Sequence, residues 1–428
     1  MIALAVLFAF MFLMKSSLLS PLTNPDQSTS IALGFILIFA YLFGRETARL
    51  RLPQITGFIL TGILCGPYLL RFLEVEQVSE LHLIDGLALS LIALTAGGEM
   101  QVRRLKGRLK SISSIVAAQT VLIIGGYVVF SISGRGLFSF FGGQTLLQSA
   151  AVGLLLGILA TATSPSSTIA VITETKSKGE YTDLILTVAV VKDFVIIVLF
   201  AVSLSITRPF FYPDQGFDTG LLTGIFLELG GSLLIGFAVG WGIIFYIKYI
   251  GREITVFILS VAFFTYQISH SYGYHPLLIC LLAGFLVENF STQGEKLILA
   301  IEKSSLPVFV IFFAISGASI DLDALRVSWL LALVCVLLRG VLKFFGTYLG
   351  ASLANDGATV KKHCWRGFIS QAGVALGIAV IVERTYPDLK GEFVSLVLAV
   401  IAINQIIGPV LLQKLLIKVN EAGKKKLV

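Results

Sequence analysis

The chain has 428 residues, 56% hydrophobic and 13% charged, with a formal net charge of +7 and a mean hydropathy of +0.92. Soluble domains carry about 25% charged residues, so the composition excludes a soluble globular protein and points to an all-α polytopic membrane protein whose partner is the lipid bilayer. Basic loops account for the net charge without any nucleic acid. The scattered Cys65, Cys280, Cys335 and Cys364 argue against a disulfide framework or a zinc site.

Fourteen apolar spans follow one another, at about 2–20, 30–49, 54–70, 83–99, 111–131, 146–172, 184–205, 221–247, 254–271, 274–288, 305–320, 327–350, 365–383 and 393–413. The first has no basic residue ahead of it and reads as an extra helix rather than a signal peptide. With the outer loop that follows, it makes up an N-terminal region spanning residues 1–29. Of the 32 Lys and Arg residues, twenty-two fall in one set of alternate connections and the carboxyl tail, and seven in the other set. That asymmetry places both termini in the cytoplasm. Residues 414–428 form a basic cytoplasmic tail.

The sequence also resembles itself. The stretch 93–105 aligns on 313–325, matching Gly97 with Gly317; 157–172 aligns on 367–381; and LTGIL at 60–64 echoes LAGFL at 282–286. The common order implies two six-span repeats, 30–205 (core helices 83–205) and 254–413 (core helices 305–413), joined by a linker helix within 206–253. One extra crossing inverts the second repeat, an arrangement that suits a secondary transporter with its site near the midplane.

Lys192 and Asp193 stand side by side inside the span 184–205. A charge at that depth costs roughly 3 kcal/mol or more and usually marks an ion or proton path. The preceding span carries Thr161, Thr163, Ser164, Pro165, Ser166, Ser167 and Thr168. Proline removes a backbone donor, so a break here would expose carbonyls and hydroxyls suited to a hard cation. The repeat mate contains Ser370, Gln371 and Gly373, and a second break is expected there. Asp193 can hold a proton or lend its oxygens to a metal ion, and that competition is the simplest physical basis for antiport. Arg339 and Lys343 share one face of the span 327–350. Lys343 is expected to snorkel toward the cytoplasmic side, and Arg339 to find an acidic partner among Glu99, Glu228 and Asp193. The four histidines are expected at span ends and surfaces.

With those residues in place, ATATSPSST followed by VVKD, together with GFILTGILCGP, LTAGGEM, Arg339–Lys343–Gly346 and WRGFISQAGVALG, resembles the second monovalent cation:proton antiporter family over most of 30–413. The resemblance implies a homodimer in the cell (inner) membrane, an elevator-like six-helix core, and two broken helices that cross, here 146–172 and 365–383. It assigns ion and proton binding to Asp193, broken-helix positions to Thr163 and Ser164, and a variable partner position to Lys192. Two departures stand out: Lys192 occupies a position often held by Asp, Asn or Gln, and Ser164 one where some sodium/proton members have Asp. The expectation is therefore a non-enzymatic exchanger of Na+ or K+ for H+, with no other cofactor, in which Lys192 tunes Asp193 or carries a coupled proton. Rival readings are a potassium efflux system regulated by a separate subunit, an anion transporter using the surplus of core cations, and a non-transporting subunit. The sequence shows no Walker-type phosphate loop, which argues against an ATP-driven pump.

Overall fold

The computed structural model describes residues 25–212, 219–320, 322–371, 374–386, 389 and 392–423. It is helical throughout the described residues: α1 (Pro25–Arg49), α2 (Gln54–Cys65), α3 (Val75–Glu99), α4 (Leu109–Ser133), α5 (Leu146–Thr161), α6 (Pro165–Thr175), α7 (Glu180–Phe211), α8 (Thr219–Phe245), α9 (Ile254–Tyr272), α10 (Pro276–Phe290), α11 (Gly294–Ala318), α12 (Leu322–Leu353), α13 (Ala358–His363), α14 (Val374–Thr385) and α15 (Glu392–Lys418). Thirteen of the fourteen expected spans coincide with a helix or a helix pair; the other, 2–20, lies outside the described residues. Among the described residues eight helical stretches are long and apolar enough to cross a membrane. The four cysteines are buried free thiols.

The helices pack in two groups. One contains α1, α2, α3, α8, α9, α10 and α11, with its most extensive pairings between α3 and α10, α8 and α10, and α2 and α11. The other contains α4, α5, α6, α7, α12, α13, α14 and α15. The contacts that cross between them, chiefly α3 with α6, α7 with α8 and α2 with α15, are sparse. The expected cores included 83–99 and 305–320, but α3 and α11 pack with the first group. Small residues explain it. A Cβ at Gly97 would overlap the Leu281 carbonyl, and one at Gly284 the Leu94 carbonyl; likewise Gly317 lies against the Ile59 carbonyl and Gly62 against that of Ala314. Each glycine lets two backbones approach to contact, the usual device for joining helices in lipid.

Those four contacts also express the repeat. Ile59 and Gly62 are the repeat mates of Leu281 and Gly284, and Leu94 and Gly97 those of Ala314 and Gly317. The pairing of α10 on α3 is thus the same contact as α2 on α11 with the repeats exchanged, as inverted repeats require.

The second group positions the chemistry. At one end of it, the Glu421 carboxylate accepts from the backbone N–H groups of Tyr181 (2.9 Å) and Thr182 (2.7 Å) and from the Thr182 hydroxyl (2.7 Å). It thereby caps the free donors at the start of α7, the helix that carries Asp193. Gly423 N–H donates to the Thr175 carbonyl at the end of α6 (2.9 Å).

Candidate ion-exchange site

Two interrupted helices meet in the middle of the second group. The first is α5 and α6, separated by Ala162–Ser164, where Pro165 takes the first position of α6 and the Ser164 hydroxyl accepts from Ser167 N–H (3.1 Å). The second runs through α13 and a 3-10 turn, Cys364–Phe368, to the non-helical residues Ile369–Gln371, with α14 beginning at Val374. The two breaks are joined directly: Ser164 N–H donates to the Ser370 carbonyl (2.9 Å), and the Gln371 amide donates to the Leu159 carbonyl (2.9 Å) while accepting from Asn404 (3.2 Å). Gly373, expected at this break, lies outside the described residues.

A helix that stops inside a bilayer leaves its last carbonyls without donors, and in lipid each must find one within the protein. Arg339 and Lys343, both fully buried, supply them. Arg339 donates to the carbonyls of Ala160 (2.8 Å), Ala162 (2.6 Å), Ile369 (2.6 Å) and Phe368 (3.5 Å). Lys343 donates to Thr161 (3.4 Å), Ala162 (3.0 Å) and Phe368 (2.5 Å) carbonyls and to the Thr163 hydroxyl (2.8 Å). The cations also sit at the negative ends of the α5 dipole and of the 3-10 turn.

This arrangement corrects several expectations. The partner of Arg339 is a set of carbonyls rather than Glu99, Glu228 or Asp193. Glu99 is exposed at the end of α3, and Glu228 pairs with His275 at 3.1 Å. Lys343 does not snorkel; it fills the crossing. The carbonyls that a transported cation was expected to use are held by the protein's own cations. Thr163 is likewise engaged, accepting from Lys343 and donating to the Phe368 carbonyl (3.3 Å). Thr161 and Thr168 bond back to Gly157 (2.9 Å) and Ser164 (2.8 Å) carbonyls within the chain's own turns.

Lys192 and Asp193 point apart, as adjacent residues on a helix must. Lys192 is fully buried; its ammonium donates to the Gln119 side-chain oxygen and lies 5.5 Å from the centre of the Phe368 ring. Asp193 is half-buried and faces a cavity of about 370 Å³ between α6 and α7 on one side and α3 and α10 on the other. Ser164, Pro165, Ser166, Phe194, Phe285 and His275 are among its lining residues, and most of the wall is apolar. No donor among the described residues reaches the Asp193 carboxylate. His275 sits at the start of α10, as expected of a span end, and also lines this cavity; His363 sits outside the spans beside Lys418 (2.9 Å).

Sequence reasoning missed Gln119, Thr347, Phe368 and Asn404. Signals for three of them existed: a lone amide in the apolar span 111–131, the threonine directly after Gly346, and the phenylalanine of WRGFISQ. Asn404 had none beyond its polarity.

The family model described as "Sodium/hydrogen exchanger, transmembrane" matches residues 32–418, and the chain belongs to that family. It is 26% identical to the probable Na+/H+ antiporter GerT of Bacillus cereus over 358 residues, covering 80% of this chain and 88% of GerT. It is 24% identical to the Na+/H+-K+ antiporter GerN of the same species over 392 residues, covering 89% of this chain and 94% of GerN. In fold it matches the sodium proton antiporter MjNhaP1 of Methanocaldococcus jannaschii at pH 8, with TM-score 0.65 and 18% identity over 93% of this chain and 100% of that one. A second structure of MjNhaP1 gives TM-score 0.68 at 18% identity, over 92% and 98% of the two chains.

Proposed function

We propose that the protein exchanges a monovalent cation, Na+ or K+, for a proton across the cell membrane, with proton and cation competing for Asp193. One observation carries this reading: Asp193 presents to a cavity a carboxylate that no donor among the described residues reaches, while Lys192, Arg339 and Lys343 are all engaged by amide, hydroxyl or carbonyl oxygens. A carboxylate that takes a proton loses the charge that attracts a cation, so one group alternates between the two ligands. The Ser164 and Ser166 hydroxyls on the same wall offer oxygens that suit a hard cation. One exchanging carboxylate implies one proton per monovalent cation, an electroneutral cycle. GerT and GerN, whose names specify Na+/H+ and Na+/H+-K+ antiport, support the substrate class and leave both cations in play.

The sparse contacts between the two helix groups support an elevator motion, in which the crossing, Asp193 and the fixed cations move together past α3 and α10. A homodimer built on the first group, with both termini in the cytoplasm, completes the reading. An anion transporter would call for a cation on the cavity wall; none of Lys192, Arg339 and Lys343 lines it.

The test is proton flux in proteoliposomes, driven by steps of Na+ or K+, with and without a voltage clamp. Asp193→Asn is expected to abolish flux with either ion, and wild-type flux to be insensitive to voltage. Exchange at wild-type rate by Asp193→Asn would overturn the proposal.

A further inference from the structure

Arg339 and Lys343 are explained by the orphaned carbonyls of the crossing. Lys192 is not: its ammonium donates to no carbonyl of either break, and it is the residue next to Asp193. Its seat is built from three elements. Gln119 on α4 is fully buried, and its Nε2 donates to Thr347 Oγ1 on α12 (2.6 Å). The Thr347 hydroxyl spends its own hydrogen on the Lys343 carbonyl (2.7 Å), so it can only accept from Gln119. A lysine ammonium can only donate. Both constraints turn the Gln119 amide one way, with its oxygen toward Lys192. Gly346 makes room for this contact, because a Cβ there would lie 2.7 Å from Gln119 Cα and 2.8 Å from its Cγ. The face of Phe368 closes the seat, an arrangement that attracts a cation.

We propose that Gln119 is a positioning residue that parks the Lys192 ammonium on α4, and so keeps the Asp193 carboxylate open to the cavity. The inference rests on the reading of Asp193 as the exchanging group. Every element of the seat belongs to the second helix group, so the parked charge travels with Asp193. Without the Gln119 oxygen, an ammonium that swings toward the adjacent carboxylate of Asp193 would compete there with the transported cation.

The experiment is a double-mutant cycle on Na+ and K+ exchange in proteoliposomes, with KM and kcat measured separately. Gln119→Leu is expected to raise the cation KM about tenfold while kcat stays within twofold. In a Lys192→Gln background, Gln119→Leu is expected to leave KM unchanged, since there is no ammonium to release. Thr347→Val, which keeps the side-chain shape but unties Gln119, should show a smaller rise of about threefold that also vanishes with Lys192→Gln; it carries the test if Gln119→Leu does not fold. An unchanged KM, or an equal rise with and without Lys192, would overturn the proposal and leave Gln119 a packing residue. Activity in Asp193→Asn would instead sink the underlying site reading, whatever the cycle shows.

Discussion

Arg339→Met tests whether the protein's own cations hold the crossing together. The substitution keeps an unbranched side chain but removes the donors to the Ala160 (2.8 Å), Ala162 (2.6 Å) and Ile369 (2.6 Å) carbonyls. Ala162 keeps Lys343 at 3.0 Å, so two buried carbonyls lose their donor. Each such loss costs about 1–3 kcal/mol, which gives roughly 2–6 kcal/mol in all. Replacing a whole buried ion pair by apolar groups is often neutral, whereas removing one partner costs about 3–5 kcal/mol. Here the partners are backbone carbonyls that cannot be replaced, so the second case applies, and about 3 kcal/mol is the working figure. Melting shifts by about 2–4 °C per kcal/mol in chains of 150–250 residues and by less in longer ones. The expected fall in a thermal-shift assay of the detergent-purified protein is therefore about 5 °C, with exchange lost in proteoliposomes. Arg339→Lys should recover less than half of it, because one ammonium cannot match a planar fork that spans two chain segments. An Arg339→Met protein that melts within a degree of wild type and still exchanges would refute the capping argument.

Three further outcomes follow from the same geometry. Thr163→Val removes a hydroxyl held by Lys343 and Phe368 and should cost about 1 kcal/mol, with cation KM unchanged; a KM rise beyond threefold would return Thr163 to the ion site. Gly284→Ala pushes a methyl onto the Leu94 carbonyl and should destabilise by about 1–3 kcal/mol, whereas Gly125→Ala, with nothing within 4 Å, should not; equal melting temperatures would contradict the close α3–α10 packing. Burial, then the neighbouring Lys418, Arg366 and Lys362 charges, push the His363 imidazole below its ordinary value. The unfolded chain therefore takes up the proton first, so this contribution is complete above about pH 6.5 and is lost as pH falls through the folded value. The group is partly exposed, and solvent screening holds its contribution under about 1 kcal/mol. Melting should drop by a degree or so between pH 7.5 and 5.5 and do so less in His363→Gln; an identical slope in that variant would assign the dependence elsewhere.

The spans were legible because lipid imposes a composition on them, and Asp193 because a lone carboxylate is rare at that depth. Pro165 amid hydroxyls marked one break, and the order of the repeats located its mate at Gln371. The ligands of Arg339 and Lys343 were not legible, for a specific reason: they are main-chain carbonyls, and a carbonyl has no letter of its own. The division into two groups was hidden too, since every helix is apolar on most faces and α3 differs from a core helix only in where its glycines meet another backbone. Gly97 and Gly317 were visible as a repeat match, but their meaning as contacts with Leu281 and Ile59 required the partner helices.

The occupied carbonyls change what the cation site must be. Had the breaks been open, a transported cation would find several backbone oxygens besides Asp193, and it would bind tightly. With Lys343 and Arg339 holding those oxygens, the proposed cation site is left with one carboxylate and the Ser164 and Ser166 hydroxyls on the cavity wall. It also meets the positive end of α6, whose first residue, Pro165, lines the same wall, and three fixed cations lie within the same bundle. Each of these opposes a bound metal ion. Exchange depends on release as much as on capture, and a site with a single negative charge in a positive surrounding releases its cation as soon as a proton neutralises that charge. On the proposed reading, the surplus of positive charge, which by itself favours an anion, becomes the reason that one aspartate would suffice to exchange a cation.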